Sequence, residues 1–201
     1  MSAVKAVKAV KAAASVAAVV VAGCIAHSSY MMQAELTSAA IEPTASTAVV
    51  TFIRPSRYST TNEPTILDES GRFVGECDAS SKFSVAVAPG HHVFVVWAEN
   101  SDALVADVAP GKHYFVEVSP TEGWTSARFH LIALTPRSPK WDRRPEWLAR
   151  TQTLVPTGGG DAWIESRKAD ALERVRRGMD HLRGYDAVDL AKRTIRPDDG
   201  I

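Results

Sequence analysis

The chain has 201 residues, and its 23 Lys and Arg side chains balance 23 Asp and Glu side chains, so the formal net charge is zero. This balance argues against a nucleic-acid-binding protein, which carries an excess of basic side chains. The length fits one domain of ordinary size with additional segments. The two cysteines, Cys24 and Cys77, lie too far apart in sequence to form a cysteine-based metal motif.

The N-terminus has the pattern of a secretory signal. Lys5, Lys8 and Lys11 precede an uncharged run from Ala12 to Gly23. A basic segment followed by about a dozen apolar residues is typical of such signals. The run is too short to cross a bilayer, which takes about 20 residues. We therefore interpret residues 1–23 as a signal peptide.

The end of this run, Val21-Ala22-Gly23-Cys24, resembles the bacterial lipobox. The resemblance implies cleavage before Cys24 and acylation of that cysteine, with palmitate-type chains that anchor the protein in a membrane. The next residue is Ile25 rather than Asp, which by the same resemblance implies sorting to the outer membrane, facing the periplasm or the cell surface. The alternative is an ordinary signal peptide cut nearby, with no role for Cys24.

Residues 24–46 are rich in Ser, Thr and Ala and show little apolar periodicity. This composition predicts a flexible tether between the anchor and a folded domain.

Residues 47–135 alternate short apolar runs with turn signals. This spacing predicts a mainly β fold, an antiparallel β-sandwich of seven to eight strands. The absence of strand–helix alternation argues against a parallel sheet. The predicted strands are Ala48–Arg54, Thr65–Leu67, Arg72–Cys77, Lys82–Ala88, His92–Trp97, Ala103–Val108, His113–Val118 and Ala127–Leu134.

One phrase occurs twice within this domain. APGHHVFV at residues 88–95 returns as APGKHYFV at residues 109–116. Pro followed by Gly predicts a turn in which Gly adopts a positive φ. The aromatic and β-branched residues that follow have strand composition. Each copy is therefore predicted to be a turn that leads into a strand of the same sandwich.

These features resemble a group of uncharacterised bacterial lipoproteins with one small β-sandwich. The resemblance rests on SVAVAPGHHVFVV and VAPGKHYFVEV and on the short hairpin around Gly71. The Pro-Gly-x-His turn is also similar to PEGA-type surface modules. Because that group has no assigned catalytic residues, the resemblance implies none here.

The C-terminal third begins with a connector rich in Pro, Trp and Gly, residues 136–160. In the helical segment 161–201, apolar residues recur at helical spacing from Ile164 to Leu182 and predict an amphipathic helix. A second short helix is predicted over 187–193. The apolar stripe of this helix has three possible neighbours. It docks on the sandwich, it binds a partner protein through residues 161–183, or it lies on a membrane surface.

His92 and His113 occupy equivalent positions in the two copies of the repeated phrase. If their strands are neighbours, the two rings can approach and bind a metal such as Zn²⁺. The alternative, which the sequence favours, is that each ring bonds a loop carbonyl near the start of its strand. Our prediction for this chain is therefore no metal and no cofactor.

Three other groups of residues have ordinary structural explanations. Cys77 lies in a predicted strand without a basic neighbour and is interpreted as a buried apolar residue. The carboxylates of Asp68, Glu69, Glu76 and Asp78 flank a hairpin and are attributed to turn formation and solvation. The glycines 158–160 lack the Gly-Lys-Ser/Thr of a phosphate-binding loop and are read as a linker.

Five tryptophans remain, at positions 97, 124, 141, 147 and 163. Trp97 is expected in the core, whereas Trp124 follows Gly123 in a loop and is the best candidate for an exposed, sugar-stacking ring. The group as a whole is expected to anchor the core and the tail.

The sequence therefore predicts an envelope lipoprotein without enzymatic activity, whose sandwich is a scaffold or protein-interaction module. The alternative is a glycan- or peptidoglycan-binding module that uses Trp124. A metal-dependent hydrolase is a third hypothesis.

Overall fold

A computed structural model describes residues 27–35 and 40–201. The predicted signal peptide, the lipobox and Cys24 lie outside the described residues. Within the described part of the chain, no helix is both long and apolar enough to cross a membrane.

Within these residues the chain forms eleven strands and four α-helices. The strands are β1 (Met31–Gln33), β2 (Ala48–Arg54), β3 (Thr65–Asp68), β4 (Phe73–Glu76), β5 (Ser81–Val87), β6 (Gly90–Trp97), β7 (Ser101–Val108), β8 (His113–Glu122), β9 (Ala127–Ala133), β10 (Gln152–Pro156) and β11 (Thr194–Ile195). The helices are α1 (Arg144–Arg150), α2 (Gly160–Ser166), α3 (Lys168–Gly184) and α4 (Ala187–Ala191).

The strands form two mixed sheets. Sheet 1 has the order β1-β10-β5-β2-β8-β9, and sheet 2 has the order β11-β7-β6-β3-β4. Three neighbouring pairs are parallel, namely β2 with β8, β10 with β5, and β11 with β7. The prediction of a mainly β fold with a C-terminal helix is confirmed, whereas the predictions of seven to eight strands and of purely antiparallel pairing are wrong.

The parallel pairs arise because consecutive strands leave one sheet and return to it. Val50 of β2 pairs with Tyr114 of β8, and the strands of sheet 2 from β3 to β7 lie between them in the chain. A parallel pair requires a long crossover connection of this kind. Turn signals between neighbouring strands do not reveal such a crossover.

A shared apolar core joins the two sheets. Phe52 of sheet 1 stacks on Phe83 with 5.0 Å between ring centroids, and it meets Phe94 of sheet 2 edge-on at 5.1 Å. In β9 the residues alternate between buried and half-buried, because Phe129 and Leu131 face this core. All seven residues of β2 are buried, since sheet 1 is also covered on its outer side.

That outer cover is α1, whose Trp147 packs with Ile53 and Phe115. Pro145 occupies the first turn of this helix, where a missing N–H costs no helical hydrogen bond. The predicted connector 136–160 therefore contains a helix and, in β10, a strand that extends sheet 1.

The apolar stripe of α2 and α3 docks on the outer face of sheet 2, as one of the alternatives predicted. Its buried residues pack against strands β3, β6 and β7; the group comprises Ile164, Ala171, Val175, Leu182, Leu67, Val93, Val95 and Ala103. Gly178 is buried where α3 packs closely on sheet 2, since a Cβ at this position would lie 2.8 Å from a methyl carbon of Val95. Leu172 is the stripe residue left exposed, at 47 %. The second short helix is present as α4.

Part of the predicted flexible tether is folded onto the body. Met31 is buried in the main core, and β1 pairs with β10. Ser28 is also buried and donates its hydroxyl to Glu76. The expectation of a free linker is therefore wrong for residues 28–33.

Strand registers define two ends of the body. Arg54 pairs with Ser81 and Trp97 with Ser101, and Glu122 pairs with Ala127 at the tip of the β8–β9 hairpin. We call this the Arg54 end. The opposite end, here the Gly90 end, carries the two Pro-Gly turns, whose Gly90 and Gly111 have φ of 128° and 74° as predicted.

Arg54 holds the loop at its own end. Its fully buried guanidinium donates to the carbonyl oxygens of Tyr58, Ser59, Asn62 and Cys77 at 2.6–2.9 Å. The guanidinium also lies 4.7 Å from the ring centroid of Phe129. Burial lowers the pKa of Arg54, even though its guanidinium has four hydrogen-bond acceptors. The charges of Cys77, Asp78 and Glu63 oppose this shift.

Candidate functional site

The two histidines of the repeated phrase do not meet. His92 lies in β6 of sheet 2 and His113 in β8 of sheet 1, so the two histidines are not on neighbouring strands. His92 Nε2 lies 2.7 Å from its own loop carbonyl, that of Ala88, which confirms the structural alternative for this residue. Among residues 27–35 and 40–201, no group of three or more His, Cys, Asp or Glu is arranged to hold a metal ion.

His113 has a different environment from its counterpart. Its Nε2 lies 2.6 Å from Thr51 Oγ1, and its ring stacks on Phe115 with 4.4 Å between centroids. Burial lowers the pKa of His113. This residue therefore joins β2 to β8 rather than bonding a loop carbonyl.

Trp124 is exposed, as predicted, with 90 % of its surface accessible. Its loop is nevertheless fixed, because the Glu99 carboxylate accepts hydrogen bonds from the backbone N–H groups of Trp124, Thr125 and Ser126 at 2.7–2.9 Å. These bonds lower the pKa of Glu99 to about 2. Gly123 is required here, since a Cβ would lie 2.0 Å from the carbonyl oxygen of Ser126. The loop thus presents one exposed indole ring on a backbone that Glu99 anchors.

Trp97 and Trp163 are half-buried and form the centre of an aromatic stack. Their ring centroids are 5.4 Å apart, and Tyr30 stacks on the other side of Trp163 at 5.1 Å. Arg167 lies 5.1 Å from the Trp97 ring centroid and Arg174 lies 5.5 Å from it. The ring faces therefore contact one another or guanidinium groups, and the stack fastens the N-terminal segment and α2 to sheet 2.

A polar cleft of about 510 Å³ opens beside this stack at the Arg54 end. Its lining includes the carboxylates of Glu63, Glu76 and Glu99 and the guanidinium groups of Arg167 and Arg174. Burial raises the pKa of Glu63 and of Glu76. Glu76 accepts hydrogen bonds from the hydroxyls of Ser28 and Thr65 and is 5 % exposed. Glu76 is therefore a structural acceptor at the side of the cleft.

The remaining sequence candidates have structural roles. Cys77 is fully buried, and burial raises the pKa of its thiol, with Arg54 opposing the shift. Asp68 caps its turn by accepting from the N–H groups of Ser70 and Arg72. Of the three glycines read as a linker, Gly158 has a φ of 87° and lies in open space, whereas Gly160 begins α2 and is buried against Phe73, so the linker interpretation is wrong for Gly160. None of these groups forms a nucleophile–base pair.

An apolar groove of about 890 Å³ lies between α4 and the segment that follows β9. Ile132, Leu134, Ala187, Val188 and Ala191 contribute its apolar lining, and Val188 is 65 % exposed. Its charged lining comprises Arg137, Lys140, Lys192, Arg193, Arg196, Glu117 and Asp189. Most of the basic side chains are paired with carboxylates, for example Lys140 with Glu117 and Lys192 with Asp189. We call this surface the α4 groove.

Sequence reasoning missed both Tyr30 and the α4 groove. Tyr30 lies in a segment whose Ser and Thr content predicted a tether, and its only local signal was the neighbouring Met31-Met32 pair. The alternation of β9 predicts an outward-facing Ile132, which was the one available sign of an apolar outer surface.

Comparison with protein-family models, with curated proteins and with solved structures found no match to this chain. No relative therefore contributes a function to these residues.

Proposed function

We propose that this protein is a bacterial envelope lipoprotein, anchored by acylated Cys24, whose β-sandwich is a protein-interaction module without enzymatic activity. The lipobox-like Val21-Ala22-Gly23-Cys24 after a basic and then an apolar segment supports the anchor. By the same resemblance the protein belongs to the outer membrane and faces the periplasm or the cell surface.

The observation that carries the interaction role is the α4 groove. The apolar stripe of residues 161–183, the partner surface considered from the sequence, is largely covered by sheet 2. The α4 groove instead leaves Val188 exposed beside Ile132. The basic side chains of the groove are mostly paired with carboxylates of the same chain, as in Lys140–Glu117, Lys192–Asp189 and Arg193–Asp102. The apolar lining is therefore the feature that a partner would recognise, and the matching partner is a protein segment with apolar side chains.

Photo-crosslinking in intact cells tests this surface. A photoreactive amino acid at Val188 is expected to give one reproducible adduct, whereas the same probe at Leu172, exposed on α3, gives none. When the photoreactive amino acid is placed at Ala187 instead, the substitution Val188→Asp should abolish the adduct, because it places a carboxylate in the apolar lining. Equal crosslinking at positions 188 and 172 would contradict a specific groove.

The anchor has its own test. Cys24→Ser removes the acceptor thiol and is expected to abolish acylation, measured by mass spectrometry of the mature N-terminus, and to release the protein from the membrane fraction. Unchanged processing and membrane retention in Cys24→Ser would remove the lipoprotein assignment. It would leave the groove hypothesis to be judged by crosslinking alone.

A second candidate function, glycan binding, is favoured by the exposure of Trp124, since an exposed indole ring on an anchored loop is suited to stacking on a sugar face. Co-sedimentation with purified peptidoglycan that is lost in Trp124→Ala would support it. Binding that persists in Trp124→Ala would remove Trp124 as the site.

A further inference from the structure

The first described residues bind to the Arg54 end of the body. His27 Nδ1 lies 3.0 Å from a carboxylate oxygen of Asp78, and the backbone N–H of Ser28 donates to the other oxygen at 3.0 Å. Asp78 lies two residues after Glu76, which ends β4 and accepts a hydrogen bond from the hydroxyl of Ser28. The chain therefore enters the folded body at this end, and residues 28–33 are packed on the body.

The distance from this entry point to the proposed anchor is short. Cys24 and His27 are three residues apart in the sequence, and three residues span at most about 10 Å even when fully extended. A body joined to acyl chains by so short a connection lies directly against the lipid surface. The end that it turns to the membrane is the Arg54 end, because that is where residue 27 sits.

The exposed side chains at this end suit such a position. Among residues 27–35 and 40–201, the large hydrophobic side chains that are exposed include two aromatic ones, Tyr58 at 53 % and Trp124 at 90 %. Tyr58 lies in the loop held by Arg54, and Trp124 lies in the loop held by Glu99. Both rings therefore belong to the Arg54 end. Tyrosine and tryptophan are the residues that favour the interface between lipid and water.

Basic side chains accompany these rings. Arg57, Arg143 and Arg150 line a pocket of about 440 Å³ at the same end, together with Glu146. Arg150 is paired with Glu146, and the guanidinium of Arg143 lies 5.4 Å from the Trp147 ring centroid. Guanidinium groups bind phosphate oxygens well, so lipid headgroups are suitable ligands for this pocket.

We infer that the Arg54 end is the membrane-contacting face of the protein and that Trp124 and Tyr58 lie in the interfacial layer of the lipid. This inference rests on the proposed acylation of Cys24. It excludes the long tether expected from the sequence, and it gives Trp124 a lipid rather than a glycan as its neighbour.

Fluorescence quenching in vesicles tests the inference. The full-length protein is matured in Gram-negative cells, its acylation is verified by mass, and it is placed in phosphatidylethanolamine–phosphatidylglycerol vesicles that carry brominated acyl chains. The wild-type protein is expected to show a quenched tryptophan component that Trp124→Phe lacks. Adding Tyr58→Trp to Trp124→Phe should restore quenching.

The matched control moves the exposed ring to the other end. His91 is exposed in β6 at the Gly90 end, so His91→Trp added to Trp124→Phe is expected to remain unquenched. Acylated protein in which Trp124 is unquenched, or in which position 91 is quenched equally, overturns the inference and leaves the lipoprotein proposal intact. Trp124 fluorescence altered by peptidoglycan fragments but not by brominated lipid overturns it in favour of glycan binding. A mature protein without acyl chains overturns both proposals, and the mass measurement identifies that case.

Discussion

Asp102 and Arg193 form a buried ion pair that joins the C-terminal segment to the middle of the fold. Arg193 Nε lies 2.9 Å from one carboxylate oxygen and 3.1 Å from the other. The hydroxyl of Tyr185 donates to the same carboxylate at 2.8 Å, and His130 Nδ1 lies 3.2 Å from it. Burial opposes ionisation, but these hydrogen bonds and the Arg193 charge outweigh it, so the pKa of Asp102 lies below its usual value.

This pair makes Arg193 sensitive to substitution. Arg193→Met leaves the Asp102 carboxylate buried without its cation, and loss of one partner of a buried pair costs about 3–5 kcal/mol. We expect that loss in the free energy of unfolding, measured by urea denaturation. Lys192→Met is the matched control, because Lys192 pairs with the exposed Asp189 and such pairs contribute less than about 1 kcal/mol. Equal effects of the two variants would contradict the buried pair.

The sequence predicted local structure correctly where that structure depends on one turn motif or on one periodic pattern of apolar residues. The Pro-Gly turns, the strand compositions and the spacing from Ile164 to Leu182 all depend on neighbouring residues. The pairing of β2 with β8 depends instead on Val50 meeting Tyr114, which no local pattern encodes. The parallel neighbours and the separation of His92 from His113 follow from that long-range pairing.

The candidate surfaces were predicted only in part, for the same reason. The exposure of Trp124 was predicted because this residue follows Gly123 in a loop, which is a local signal. The α4 groove joins residue 132 to residue 188, and the aromatic stack joins Tyr30 to Trp163. These surfaces exist only after the C-terminal and N-terminal segments have packed on the sheets.

Gly178 illustrates how packing reverses a local expectation. In isolation a helical glycine is about 1 kcal/mol less favourable than alanine. In the fold it allows α3 to approach Val95 and Ala103 closely. Gly178→Val is therefore expected to lower the free energy of unfolding by about 1–3 kcal/mol through overpacking. Urea denaturation with fluorescence detection measures this.

Gly184→Val provides the comparison, since a Cβ at Gly184 has no neighbour within 4 Å. Its effect should stay within about 0.5 kcal/mol, as for other surface substitutions. If Gly178→Val were equally mild, α3 would not be packed as closely as its contacts with sheet 2 indicate.

Cys77 should be chemically inert in the folded protein. Its side chain is fully buried, and burial raises the pKa of the thiol, so little reactive thiolate forms. In Cys24→Ser protein, where Cys77 is the remaining cysteine, iodoacetamide at pH 8 is expected to label the chain only after denaturation. Adding Ala149→Cys, on the exposed side of α1, should give rapid labelling at one site. Rapid native labelling of Cys77 itself would show that the core opens readily.

The low pKa of Glu99 predicts how the Trp124 loop responds to acid. Its pKa falls from 4.5 to about 2 because the backbone N–H groups of Trp124, Ser126 and Thr125 bind the carboxylate. A carboxylate with a depressed pKa contributes its full stabilisation above pH 4.5, and this contribution is lost as the pH falls through the folded-state value near 2. The backbone amide resonance of Trp124, followed by NMR, should therefore keep its neutral-pH position down to about pH 3 and then shift with a midpoint near pH 2.

Two substitutions in the same region separate this effect from general acid unfolding. Glu99→Gln removes the charge that the three N–H groups bind, so the Trp124 resonance should already be displaced at neutral pH and should lose its transition near pH 2. Glu122→Gln changes an exposed carboxylate of the same hairpin and should leave both the position and the midpoint unchanged. A Trp124 signal that moves between pH 4 and pH 5, where an ordinary Glu titrates at about 4.3, would mean that the loop does not hold Glu99 in its ionised form.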